Sequence, residues 1–296
     1  MSHSEARIEA RLGRARPGKA RLGEARIAAR HGAARRGKAG QGKAGRGKDR
    51  GKAWRGLARQ GSWSNKTTIL LEDVMDRYKI TLEGQTPLLM HRDNLAFSEK
   101  VKAWANAPEN KQLSSAGDDR TPPWTWIGYL YHDDHFLGMD SDNIMTCLRE
   151  GGAKVKTGNG KETYKKQTQS GIALDQFQFD LLVDGKKIPI EPIKALIGNG
   201  DFAEHIRVAE DLGFELLVKR AKVQRAKHIR VRPMFRNWAL TGSLTVIDPE
   251  LSGITRDILE LIFNWSGAMC GLGDWRPSSP SSGAFGKFAP TIELIK

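Results

Sequence analysis

A chain of 296 residues, 39% of them hydrophobic, is long enough to bury the core of one large domain or two small ones. The formal charge of +14 falls wholly in residues 1–60, which hold 18 of the 48 basic side chains and four of the 34 acidic ones and leave the rest balanced at 30 of each. That balance excludes bulk charge attraction as the basis of nucleic-acid binding by the rest, which has to act through local patches. Two cysteines, Cys147 and Cys270, without zinc-type Cys/His spacing exclude a disulfide or zinc framework, and no apolar run approaches the ~18 residues of a membrane span. With no secretory leader pattern, the expected location is the cytoplasm.

Residues 6–60 are near-repeats of Arg, Lys, Gly and Ala, and residues 33–52 lack any Leu, Ile, Val, Phe, Tyr or Trp that would offset the entropy of ordering. Disorder is expected for residues 1–74. The segment reads either as a basic tail that grips phosphates or as a non-native extension ahead of a start at Met75, where the first strand-like run begins.

Residues 78–90 alternate Tyr, Ile and Leu and then turn at Thr86-Pro87, which predicts a first strand and a loop. A short helix is expected over 97–104 and a polar loop over 106–123. A hairpin is expected from 124–131 and 136–139 around Asp133-Asp134. Asp140-Ser141-Asp142 opens a helix running to Arg149, and the Lys- and Gly-rich stretch 151–171 reads as a mobile insertion. Strands are expected at 177–183, 186–190, 214–223, 228–235 and 238–247. The region 191–213 reads as either an insertion or a linker. Ile254, Ile258, Leu261, Ile262 and Trp265 recur at helical spacing, and a Gly, Pro and Ser loop over 271–286 precedes a last strand at 288–295. This order predicts an α+β fold, and the lack of a GxGxxG or Walker-type loop argues against nucleotide-cofactor chemistry.

Three segments combine charge with aromatic or flexible residues in a way that suits a single strand. In the glycine loop, Trp275 and Phe285 offer stacking faces beside Arg276 and Lys287. Arg149, Lys154, Lys156, Lys161, Lys165 and Lys166 line residues 148–171 and can follow a phosphate backbone. Lys219, Lys222, Arg225, Lys227, Arg230 and Arg232 fall on one expected hairpin. Each also has a bland reading, as a surface loop, a solvated loop and a charged hairpin. Metal ligation by His132, Asp133, Asp134 and His135 competes with a simple turn, and His91 with Asp93 with an ordinary polar loop.

Three motifs together resemble the RAMP superfamily, the RNA-binding backbone subunits of CRISPR effector complexes. They are YKITLEGQTPLLM at 78–90, MDSDNIMTCLREGG at 139–152 and DILELIFNWSGAMCGLGDWRPSSPSSGAFGKF at 257–288. The C-terminal loop departs from the family in its Trp-Arg-Pro and Ser/Pro stretch, which leaves a stand-alone phage or prophage relative open. The resemblance implies a ferredoxin-like (RRM-like) antiparallel sheet with helices on one face and loop insertions, with copies stacked along RNA. The expectation is therefore a non-catalytic protein binding single-stranded RNA or DNA as a homo-oligomer, without cofactor, metal or membrane. A nuclease and a phage structural or assembly protein are the alternatives.

Overall fold

The computed structural model describes residues 74–223, 226–280 and 283–295. The expected basic tail, Arg225 and the side chain of Lys222 lie outside the described residues. Strand β1 (Met75–Gly84) buries Tyr78, Ile80 and Leu82 and leaves Lys79 exposed and Thr81 half-buried between them, the burial that period-2 alternation dictates. After Thr86-Pro87 the chain enters β2 (Leu88–Leu89), which belongs to a different sheet. Helix α1 (Leu95–Asn106) starts where the Asn94 side chain accepts from the Phe97 amide at 3.0 Å, satisfying one of the unpaired donors of the first turn.

Residues 124–131 correct the sequence reading: Pro123–Tyr129 is a 3-10 helix, not a hairpin strand. Pro122 and Pro123 set helical entry and remove amide donors, and Thr125 Oγ1 donates to the Pro122 carbonyl at 2.7 Å. Trp124, Thr125, Trp126 and Ile127 are all buried, a run that a two-faced strand at a sheet surface does not produce. Strand β3 is confined to Gly138–Asp140.

Helix α2 (Ser141–Gly152) buries Ile144, Cys147 and Leu148. In the following stretch a bridge joins Lys156 to Thr163, and α3 (Lys165–Gly171) packs on α2 through the fully buried Thr168. The apolar residue that pins it, Val155, is too isolated to register as a hydrophobic pattern. Then come β4 (Ile172–Leu174), β5 (Gln178–Val183) and the two-residue β6 (Lys186–Lys187), shorter than the strand expected at 186–190. Residues 191–213 form α4 (Glu191–Lys194) and α5 (Phe202–Asp211). The hairpin of β7 (Glu215–Val223) and β8 (Ala226–Phe235) leads into β9 (Trp238–Ile247). Helices α6 (Pro249–Ser252) and α7 (Arg256–Trp265), a π-helical turn at Ser266–Cys270 and β10 (Phe288–Leu294) complete the chain.

The protein is α+β with antiparallel sheets. The main sheet runs β10-β1-β9-β5-β3, with every adjacent pair antiparallel. Two short strands share one edge of β9, since β4 pairs with its end and β5 with its start. One face carries Tyr78, Ile80, Leu82, Phe179, Leu181, Leu240 and Leu244 into a core shared with α2 and α7. Leu259, Ile262 and Phe263 of α7 are fully buried there, each worth about 1.5–3 kcal/mol. The opposite face presents Lys79, Thr81, Thr241 and Ser243, with Arg77 bonded to Asp175 at 2.8 Å. A three-stranded sheet, β2-β8-β7, is anchored where Asp119 N donates to Ile229 O and Ile229 N to Gly117 O.

Candidate nucleic-acid interface

The glycine loop is knitted to the connection between the two sheets. Asp274 N donates to Leu89 O at 2.9 Å, Gly286 N to Pro87 O at 2.8 Å and Lys287 N to Thr86 Oγ1 at 2.9 Å, while Trp238 Nε1 caps the Thr86 carbonyl at 2.8 Å. Gly273 and Gly286 have φ of +74° and +70°, and a Cβ at either would overlap a backbone carbonyl oxygen, that of Leu89 or Leu272. Glycine is needed there for both conformation and closeness. On the other flank, the Cys147 thiol of α2 lies 3.3 Å from Gly271 O, and Ser266 Oγ donates to Cys147 O at 3.2 Å. The three stretches named separately in the sequence thus meet around one loop.

At the loop's outer end, Trp275, itself at φ +49°, sits with its ring centroid 6.2 Å from that of Phe285, the planes inclined at 53°. Both rings are half-buried. Lys219 of β7 places its ammonium 4.5 Å from the Trp275 centroid, a cation–π contact worth about 0.5–1 kcal/mol at an exposed site. Arg276 is held by Gly273 O at 3.3 Å and Ser278 Oγ at 3.1 Å, with Glu150 of α2 at 4.0 Å. The two rings of the loop, Lys219 of the hairpin and Arg276 of the loop therefore occupy one neighbourhood, with the Glu150 carboxylate of α2 beside Arg276.

Arg232 corrects the sequence reading. Its side chain is 5% exposed and its guanidinium is committed inward, Nη1 to Asp119 at 2.9 Å and Nε to Asp274 at 2.9 Å, while the group lies 4.4 Å from the Tyr129 ring centroid. Arg230 is partly committed too, with Nη1 2.8 Å from Asp119. Two arginines two apart on a strand share a face, and here that face covers acidic residues from distant loops, which spacing alone does not disclose. Tyr129, beside this network, has its phenol pushed up to about 12, chiefly by burial and then by the Asp119 charge. His91 stands 3.6 Å from Asp274 and edge-on to Tyr129 at 4.8 Å. Burial and then the Arg232 charge lower its pKa despite the carboxylate.

The α2–α3 residues are split. Arg149 is half-buried, whereas Lys154, Lys156, Lys161, Lys165 and Lys166 are exposed and have no ion-pair partner within 4.0 Å among the described residues. Lys287 is half-buried at the loop's return.

The His132–His135 stretch is spent on its turn. Asp133 Oδ1 accepts from the His135 and Phe136 amides at 2.9 and 2.7 Å, His132 Nδ1 accepts from the Asp134 amide at 3.2 Å, and Lys194 lies 3.5 Å from Asp134. No group of three or more His, Cys, Asp or Glu converges to hold a metal among the described residues. Asp93 is exposed after β2. No helix among the described residues is long and apolar enough to cross a membrane. No family model and no curated protein matches the chain.

Proposed function

We propose that this protein binds single-stranded nucleic acid, RNA in the first instance, without catalysing a reaction. The observation that carries the reading is the Trp275–Phe285 pair with Lys219 over the indole, at the point where the hairpin, the glycine loop and α2 meet. Base–aromatic stacking contributes about 1–3 kcal/mol per base and is indifferent to sequence, and the surrounding lysines supply phosphate contacts. His91, its side chain 44% exposed, lies 3.6 Å from Asp274 at the edge of the ion-pair network, so in this reading it supports that scaffold rather than cleavage.

The strand order β10-β1-β9-β5, with α2 and α7 on one face, supports assigning the main sheet to a ferredoxin-like frame of the RAMP type. Assembly of copies along the strand finds support in an unpartnered row on α7 and the π-turn. Leu261, Trp265 and Met269, at i, i+4 and i+8, are 45%, 42% and 47% exposed, an arrangement more usual for a contact surface than for a solvated helix face.

Fluorescence anisotropy with a labelled single-stranded RNA and the full chain tests the binding site. Trp275→Ala with Phe285→Ala should weaken binding by about tenfold or more. Unchanged affinity in that double variant would remove the site from the account.

A further inference from the structure

A cleft of about 290 Å3 opens between α1, the 114–121 loop and the 3-10 helix. Its carbon surface comes from Phe97 and Val101 of α1 and from Tyr129, and it is made possible by Gly128, where a Cβ would strike the Phe97 ring. Arg92 and Arg230 both line it, and neither is neutralised on every nitrogen: Arg92 has only a 3.8 Å approach to Asp140, and Arg230 binds Asp119 through Nη1. Two carboxylates line it as well, and each is already compensated: Asp118 is bound by Arg120 at 2.7 Å, and Asp119, 5% exposed, by Arg230, Arg232 and the Val231 amide.

Two guanidinium groups beside a wall of two aromatic rings and a valine select an anion joined to a flat, partly apolar ring system. The volume lies at the small end of the ~300–1,000 Å3 of drug-sized sites, which suits one nucleotide and not two stacked ones. Arginine suits the phosphate because its fork matches the oxygens in pairs. We propose that this cleft holds a single nucleotide, the base against Phe97, Val101 and Tyr129 and the phosphate between Arg92 and Arg230, as one unit turned out of the bound strand. This rests on the single-strand reading above and adds to it a second, half-open site.

Calorimetric titration of the full chain with AMP, GMP, CMP and UMP, alongside anisotropy with a single-stranded RNA, tests it. Val101→Trp fills the cleft and Arg92→Ala removes a cation from its mouth, so a folding defect in one leaves the other informative. Saturable mononucleotide binding that falls by about tenfold in both folded variants, with weaker RNA binding, is the expected result. Absence of mononucleotide binding to the unaltered chain, or binding that both variants leave unchanged, overturns the proposal. If RNA affinity then still drops with Trp275→Ala, the single-strand reading stands without the cleft. If the unaltered chain binds no RNA at all, that reading falls with it.

Discussion

Arg232 and Asp119 are the pair on which the hairpin's attachment turns. Both are nearly inaccessible, and Asp119 serves Arg230, Arg232 and the Val231 amide at once. Removing one member of a buried pair strands the other charge, which typically costs about 3–5 kcal/mol, far above the 0–1 kcal/mol of an exposed pair such as Arg236–Glu215. Asp119→Ala should therefore lower urea-unfolding stability by several kcal/mol and Glu215→Ala hardly at all; equal small effects would contradict the network. His205 makes a second prediction at this scale. The Trp126 indole can only donate, so His205 Nδ1 accepts at 3.2 Å, leaving Nε2 to carry the proton and donate to Asn199 O at 3.2 Å. Burial lowers its pKa below the ordinary 6.5, so the folded state favours the neutral ring. Its contribution is complete above pH 6.5 and is lost as the pH falls through and below that value, with His91 and His132 shifted in the same direction. Melting temperature should drop as pH is lowered from 7.5 to 5, and His205→Gln, which keeps a donor and an acceptor, should flatten that slope. An unchanged slope would place the dependence on the other histidines.

Among the elements, the glycine loop carries the sharpest structural requirement. Gly286→Ala adds a Cβ that overlaps the Leu272 carbonyl at a left-handed position, whereas Gly158, at φ +89°, has nothing within 4 Å of the same atom. Both substitutions meet the conformational cost of positive φ, but only the first adds a clash. Thermal unfolding should rank Gly286→Ala well below Gly158→Ala, and the reverse ranking would mean that Gly286 is not closed against Leu272. The elements also show what was legible beforehand. Strands β1, β5, β9 and β10, the β7–β8 hairpin and helices α1, α2 and α7 lie close to where the sequence put them, because each turns apolar residues toward the core, α1 only the partly buried Phe97, Val101 and Trp104. The 3-10 helix at Pro123–Tyr129 was misread as a strand because aromatic and β-branched residues mimic strand composition while the two prolines decide the backbone. Trp275 and Phe285 were recognisable as a candidate pair from composition. The inward turn of Arg232 was not, because its partners Asp119 and Asp274 lie 113 and 42 residues away.

Over the whole molecule the charge is unevenly spread along the sequence. Residues 1–60 hold the entire excess of +14, while among the described residues Lys219 of β7 stands over one of a pair of rings and exposed lysines line α2–α3. Its exposed row on α7 makes a prediction about assembly: Trp265→Glu should abolish concentration-dependent association in light scattering without changing the melting temperature, since Trp265 is already 42% exposed. Association that persists in that variant would move the contact elsewhere. The most direct measurement of the central claim is anisotropy binding of single-stranded RNA, single-stranded DNA and duplex across a salt series, comparing the full chain with its Trp275→Ala and Phe285→Ala double variant. The account expects single strands to be preferred over duplex, an affinity that falls steeply with salt, and a loss in the double variant that persists at every salt concentration, because stacking is not screened. Equal binding to all three nucleic acids with no effect of the double variant would assign the whole affinity to non-specific charge and contradict the site.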